Sequence, residues 1–278
     1  MHWLTWLSFA QASVIASSFM DITPPFGFGS ITPLRPDLKV LDWRNAPTPV
    51  EYSTLNAVPI SLGESWMASR DYPLVFAENG GLMAVLGFAD KENLFWKDGA
   101  WDSTMYVPAM IRRYPFCTTL VRIDGVVQQQ PLMCVESSFV NDAGEPVIDN
   151  NRVPVGDFLQ QAQLVEAFDR DLQMTAALED MLRKHGLIKP FDLTATLRDG
   201  TQFQMGGMWR VDEMALKEVA AKTLRTLIES GAMRLAYTHL NSMANFDRLL
   251  DRKYAGKLFE GMPMREATAT EPAAPAAN

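Results

Sequence analysis

The chain is poor in the residues that most often carry chemistry, with two cysteines and three histidines among 278 residues. Two thiols do not make a disulfide scaffold, and a chain of this length does not need one to bury a core. Cys117 follows Tyr114-Pro115-Phe116 and Cys134 lies in Leu132-Met133-Cys134-Val135, both apolar and strand-like, so they read as reduced core cysteines. A redox pair would require their strands to be neighbours. His2, His185 and His239 fall in no H-x-D/E or H-x-x-x-H spacing, so neither a metal nor a cofactor is expected. His185 stands where a helix is expected to end, and a cation is favoured there without any ligand role.

Other signatures are missing too. No G-x-S-x-G or S-x-x-K occurs, and Gly27-Phe28-Gly29 lacks the third glycine and the Lys of a phosphate loop. No Lys/Arg run is longer than a pair such as Arg112-Arg113, and the net charge is −8 with a pI near 5.0. That balance excludes a primary nucleic-acid binder, which needs Lys and Arg to neutralise phosphates. Long apolar runs are absent as well. The opening MHWLTWLSFAQASVIASSF is broken by Ser8, Gln11 and Ser13, too short and polar for a membrane span, and has no Lys or Arg for a secretory n-region. It reads as an extension upstream of a start at Met20, as an atypical leader or membrane-surface anchor, or as an ordered helix. Outside the leader reading, a cytoplasmic location is expected.

What is present is the composition of a packed globular protein, 47% hydrophobic and 21% charged. Prolines 24, 25, 33, 36, 47 and 49 make residues 22–54 an extended arm. Residues 56–140 read as strands. Asn79-Gly80-Gly81, Asp98-Gly99 and Asp124-Gly125 mark successive hairpins, which favours an antiparallel sheet over β-α-β alternation. Met105 to Tyr114 leaves room for a short helix between two of them. Apolar residues then recur at Phe158, Ala162, Val165, Phe168, Leu172, Leu178 and Leu182, which describes a long amphipathic helix. Asp157 is its expected cap and Gly186 its stop. Phe191 to Met205 reads as a further hairpin about Asp199-Gly200, ended by Gly206-Gly207. Helical text follows from Asp212, a natural N-cap, to Ser230, and again from Met233 to Arg252. The expected fold class is α+β: an antiparallel sheet of successive hairpins from the N-terminal half, packed with helices from the C-terminal half. Residues 1–30 are assigned to an extension, 31–262 to one domain, and 263–278 to a disordered tail without core-forming residues.

The candidate site residues are few. Arg112, Arg113 and Tyr114 place two guanidiniums beside an aromatic ring, which suits a carboxylate, phosphate or sugar. The plainer alternative is one structural ion pair and one solvated arginine. Glu136 closes a strand and is a candidate inward-facing carboxylate. Tyr237 and His239 belong to the densest polar cluster of the last helical segment, where His239 is either a functional group or a satisfied core histidine. A Cys–His pair would need an electropositive pocket that the sequence does not supply. The seven tryptophans would serve a stacking surface or, more commonly, a core.

The order of short blocks carries a resemblance. Asn56-Ala57-Val58-Pro59-Ile60, Arg70-Asp71-Tyr72-Pro73-Leu74-Val75-Phe76, Leu86-Gly87-Phe88 and Glu92-Asn93-Leu94-Phe95 come first. Tyr106-Val107-Pro108-Ala109, Ile111-Arg112-Arg113-Tyr114-Pro115-Phe116, Gly156 to Ala162, Val211-Asp212-Glu213, Ser230 to Met233 and Ala236 to Met243 follow. Together, over roughly Ile31 to Leu250, they resemble the bacterial SapC family, named for a gene in a surface-layer protein secretion cluster. That family is distinct from the peptide-transporter permease and the saposin that share its name. Thr238, where the family usually has a small apolar residue, and Ser137, in a stretch that is often more acidic, are mild departures. The resemblance implies neighbourhood with TonB-dependent receptors, cupin-like proteins and tryptophan-halogenase-like flavoproteins, but no catalytic residue set.

The resulting expectation is an accessory or binding protein for surface-layer export or cell-envelope uptake, with a protein partner and a small acidic or glycan ligand. The alternative is an enzyme acting on an amino acid, peptide or glycan, with His239 or Glu136 as acid–base. Convergence of Arg113, Glu136 and His239 in one pocket would favour the enzyme. No nucleic acid and no transmembrane segment are expected.

Overall fold

The computed structural model describes residues 20–21, 23–120, 122–123, 126–127, 131–196 and 202–254. In chain order these form β1 (Met20–Asp21), β2 (Ile31–Pro33), β3 (Lys39–Val40), β4 (Ala57–Pro59), α1 (Leu62–Ala68), β5 (Leu74–Ala77) and β6 (Leu82–Val85). Next come β7 (Trp96–Lys97), β8 (Ala100–Trp101), α2 (Ala109–Arg112), β9 (Phe116–Thr119), β10 (Arg122–Ile123), β11 (Val126–Val127), β12 (Leu132–Glu136) and β13 (Glu145–Pro146). The chain continues through α3 (Phe158–Lys184), β14 (Ile188–Thr196), β15 (Gln202–Val211), α4 (Glu213–Lys217), α5 (Ala221–Ser230), α6 (Ala232–Ser242) and α7 (Asn245–Tyr254). The fold is α+β with antiparallel sheets, as the alternating patterns predict. The opening stretch and the C-terminal tail lie outside the described residues, as do the turn dipeptides Asp124-Gly125 and Asp199-Gly200.

Two compact units share the chain: unit 1 takes Met1–Pro49 and Arg113–Glu166, and unit 2 takes Val50–Arg112 and Ala167–Asn278. In unit 1, β12 is the middle strand of the sheet β2-β12-β9, and β3 pairs with β13. The proline-rich arm is therefore partly strand. Pro33 fits because β2 is an outer strand, where a missing N–H costs no ladder bond. Leu38, Val40, Phe116, Val135, Val147, Ile148, Phe158, Ala162 and Val165 make its core. Trp43 packs edge-on to Phe116 and Phe158, at 5.3 and 5.8 Å between ring centroids. Burying one such aromatic side chain stabilises by roughly 1.5–3 kcal/mol. The stretch before the Asp124-Gly125 turn holds two strands: β9 pairs with β12, while β10 pairs with β11 and β1.

In unit 2 the sheet runs β14-β15-β5-β6-β4, so both chain halves supply strands. The Asn79-Gly80-Gly81 turn joins β5 to β6 as expected, and Asp98 and Gly99 both take positive φ between β7 and β8. Gly206-Gly207 does not end its strand. Phe191 pairs with Met208 and Leu193 with Met205, so the two glycines oppose Asp192 alone in a bulge. Gly207 has φ 78°, which disfavours a larger residue, and a Cβ on Gly206 would lie 2.7 Å from Asp192 Oδ1, which would have to move. β15 then continues to Val211 and pairs Met208 and Trp209 with Ala77 and Phe76.

The helices differ from the sequence reading in three places. α1 interrupts the stretch read as strands. Glu64 Oε1 accepts from both N and Oγ of Ser61 at 3.2 Å, so a Ser-x-x-Glu box starts this helix. The text from Asp212 to Ser230 folds as α4 and α5, because Ala220 leaves helical geometry at ψ 142°. Asp212 caps α4 through the Met214 and Ala215 amides, and Gly231 ends α5 with φ 90°, both as predicted. The last helical stretch breaks at Met243-Ala244 into α6 and α7. α3 follows its predicted extent, while Asp157 accepts from Arg44 Nη1 at 2.5 Å. No helix among the described residues is long and apolar enough to cross a membrane.

Candidate functional site

The sequence candidates divide between the two units. Arg113, Tyr114 and Glu136 belong to unit 1; Arg112, Tyr237 and His239 belong to unit 2.

In unit 1, Pro115 is where three candidates meet through the backbone. Glu136 N donates to Pro115 O at 2.8 Å, and Phe116 N returns to Arg113 O at 2.8 Å. Glu136 is 6% exposed, and its carboxylate accepts from Gly29 N at 2.8 Å and Ser30 N at 3.2 Å. Two adjacent amides donating to one carboxylate satisfy it and fix the arm against β12. The neighbouring Phe28 ring lies 5.2 Å from that of Tyr114, which also meets Phe139 at 5.9 Å. Arg113 is 8% exposed, and its carbonyl accepts from Gln161 Nε2 at 3.0 Å. Unit 1 also has a cleft of about 330 Å³ at the β3–β13 strands, lined among others by Asp42, Trp43, Arg44, Glu145 and Asp157. Arg44 joins Asp42 at 2.7 Å and Asp157 at 2.5 Å, and it holds the Asp42 carboxyl below the usual range. Three carboxylates to one guanidinium leave this cleft acidic.

In unit 2, Arg112 is part of a relay that starts at Glu64. The Glu64 Oε2 atom accepts from Tyr106 Oη at 3.0 Å and from Ala109 N at 2.6 Å, the latter at the first turn of α2. Arg112 Nη2 donates to Tyr106 Oη at 2.7 Å, and its Nε donates to Val107 O at 2.8 Å. The guanidinium carbon stands 5.4 Å from the Tyr106 ring centroid. Tyr106 therefore donates to a carboxylate and accepts from a cation. Burial, with the Glu64 charge next, pushes its hydroxyl up to about 12. Arg112 keeps 42% of its side chain exposed, whereas Glu64 keeps 5%.

His239 occupies a different position in unit 2. Trp209 pairs with Phe76, so Val211 and Leu74 would be the next partners two residues along the ladder. Instead Val211 N donates to His239 Nε2 at 3.1 Å, and Leu74 N donates to Ser242 Oγ at 2.9 Å. Two side chains of α6 thus take over where β5 and β15 part. The His239 ring lies 5.1 Å from Phe76 and is fully buried. Burial lowers its pKa to about 3, and the Arg210 charge acts in the same direction. The Leu74 carbonyl opposes them without meeting hydrogen-bond geometry at Nδ1. Asn245 completes the series, donating to Ser69 O at 2.7 Å and Tyr72 O at 2.9 Å. Tyr237, on α6 with His239, is 54% exposed.

Set against family models, the chain matches SapC over residues 37–249. It belongs to the SapC family. No curated protein and no solved structure matches it. The span covers the fingerprint blocks that carry the resemblance, from Asn56-Ala57-Val58 to the His239 cluster. For a SapC protein the relay at Glu64 is the group that residue-by-residue reading overlooks. Its signal was the Ser61-Leu62-Gly63-Glu64 box, legible only as a helix start. Nothing local tied Glu64 to Tyr106 and Arg112, more than forty residues away. Among the described residues, no cluster of three or more His, Cys, Asp or Glu is arranged to hold a metal ion.

Proposed function

We propose that this SapC-family chain is a non-catalytic binding protein serving surface-layer protein export or a cell-envelope uptake system. The observation supporting it is the state of the acid–base candidates. Glu64, Glu136 and His239 are buried, and each accepts a hydrogen bond from backbone amides of its own unit. A general base has to reach a substrate proton, and these groups would first have to abandon structural bonds. Binding asks only for exposed groups of suitable chemistry.

On this reading a small acidic ligand belongs at Arg112, where a half-exposed guanidinium is backed by the Tyr106 ring. The acidic cleft beside Trp43 suits a neutral glycan better, since a carboxylate ligand would meet Asp42, Glu145 and Asp157. Tyr237 is an exposed aromatic offered to a protein partner, while Arg113, Tyr114 and Glu136 shape the support of unit 1. The test is affinity capture from the native cell with quantitative mass spectrometry, for wild type and for Arg112→Ala and Tyr237→Ser. Enrichment of a secretion or outer-membrane receptor component, reduced in a variant, is expected. Turnover of amino-acid, peptide or glycan substrates that disappears in Glu136→Gln would overturn the proposal in favour of an enzyme.

A further inference from the structure

The chain's two cysteines, 117 and 134, face each other. In the antiparallel pairing of β9 with β12, Cys117 is the direct partner of Cys134. Both are fully buried thiols in unit 1, packed with Phe28, Ile31, Tyr114 and Leu132. Directly opposed residues of an antiparallel pair project to the same face, so both sulfurs enter one apolar cluster. The Cys134 thiol is pushed up to about 12 by burial and, next, by Cys117, which is consistent with close sulfurs.

The ladder also fixes the kind of pair. Glu136 N donates to Pro115 O, so position 136 opposite 115 is a hydrogen-bonded pair. Two residues further along the alternation, Cys134 opposite Cys117 is another. Such partners stand about 5.5 Å apart at Cα, inside the span that a disulfide bridges, but with Cβ atoms wider than its ideal. A bond closed there is strained, and strain makes a disulfide easier to reduce.

We propose that Cys117 and Cys134 form a reversible cross-strand disulfide, made and broken by exchange with a protein or low-molecular-weight disulfide. β9 is an outer strand of its sheet and β12 the middle one, so Cys117 becomes reachable when β9 peels away. Its thiolate attacks one sulfur of the exchanging disulfide, forming a mixed disulfide and releasing one thiolate. The Cys134 thiolate then attacks the Cys117 sulfur, breaking the mixed bond and releasing the second thiolate. The two protons lost by the cysteines return to the two released thiols. The cysteine pair is oxidised by two electrons and the exchanging disulfide is reduced by two. The bond would clamp β9, which follows Tyr114, to β12, which ends at Glu136. Oxidising surroundings would therefore lock the support formed by those two residues. This inference is independent of the binding role proposed above.

The experiment equilibrates the full chain in defined mixtures of reduced and oxidised glutathione, both folded and during refolding from urea. Samples are quenched in acid, alkylated and weighed intact. Oxidising mixtures should yield a monomer lighter by about 2 Da that takes no alkyl group, reverting fully in reducing mixtures. Cys117→Ser and Cys134→Ser should each abolish that species. Its appearance only on refolding still supports the bond and identifies burial as the kinetic gate. Two alkylatable thiols in every mixture, glutathione adducts alone, or covalent dimers alone would overturn it.

Discussion

Replacing His239 by Gln isolates the titration of one buried ring. The amide oxygen of Gln can still accept from Val211 N, but it has no proton to gain. In the folded protein the imidazole has its pKa lowered to about 3, against 6.5 for the ordinary group. The sign follows from linkage. A lowered folded-state pKa means that the unfolded chain binds the proton first, so acid favours unfolding. The stability associated with neutral His239 is whole above about pH 6.5 and is lost as pH falls towards 3. Between pH 7 and pH 5 the loss is about 2 kcal/mol, because over that range only the unfolded histidine titrates. The figure therefore depends on the unfolded value and hardly on the folded one, provided that the ring stays neutral at pH 5. Urea unfolding at both pH values, for wild type and His239→Gln, measures it. At pH 7 the variant should be the less stable, since it loses the packing on Phe76. Its deficit should shrink by about 2 kcal/mol at pH 5. Parallel pH dependences for the two proteins would refute the argument, since His239 would then have to be protonated as easily when folded as when unfolded.

Two other substitutions test the buried ion sites of unit 2. Glu64→Gln keeps the shape but turns one oxygen into a donor, which in either amide orientation faces a backbone N–H, that of Ala109 or that of Ser61. A loss of about 2 kcal/mol by urea unfolding is expected, together with a downward shift of the Tyr106 hydroxyl pKa in an ultraviolet titration. Arg183→Met removes the guanidinium that binds Glu179 at 2.7 Å and Ala77 O at 2.8 Å, leaving a carboxylate that is 3% exposed with the Gly81 amide. It should cost about 3 kcal/mol, and adding Glu179→Gln should restore part of that rather than add to it.

How much of this was legible depended on distance along the chain. The period of α3 and the turns at Asn79-Gly80-Gly81 and Asp98-Gly99 are local events, and they fold where the sequence places them. So do the Asp212 cap and the Gly231 stop. α1 was hidden because its seven residues are too few for a period to emerge, and Gly63 sits inside it. A Cβ there would lie 2.2 Å from Asp171 Oδ2, on a helix more than a hundred residues later, so a larger residue would require that carboxylate to move. The break between α6 and α7 is likewise tertiary, since Asn245 is drawn to carbonyls of Ser69 and Tyr72. Gly206-Gly207 looked like a stop because a bulge and a strand end use the same residues. Only the pairing with β14 distinguishes them. Among the candidate residues, sequence gave identity and approximate face, but not the partners that decide whether a polar group is available.

Those partners explain why the family fingerprint is so specific and yet so silent about chemistry. The strands in its stretch are short, two to four residues in β4 to β9. Short strands leave amides and carbonyls without ladder partners, and buried ones must be satisfied by something else. The fingerprint's polar side chains supply it. Asp71 accepts from Tyr106 N at 2.7 Å, Glu92 from Phe88 N at 2.8 Å, and Asn93 binds both Phe95 N and Tyr52 O. Arg112 holds Val107 O, while His239 and Ser242 bridge the gap between β5 and β15. Each depends on particular backbone atoms at fixed distances, so substitutions at the buried ones should register first as lost stability. Binding should instead follow side chains that reach solvent, such as Tyr237 and the exposed part of Arg112. A binding defect that appears at unchanged stability is therefore the signature to seek, and the fingerprint's buried polar residues are the wrong place to seek it.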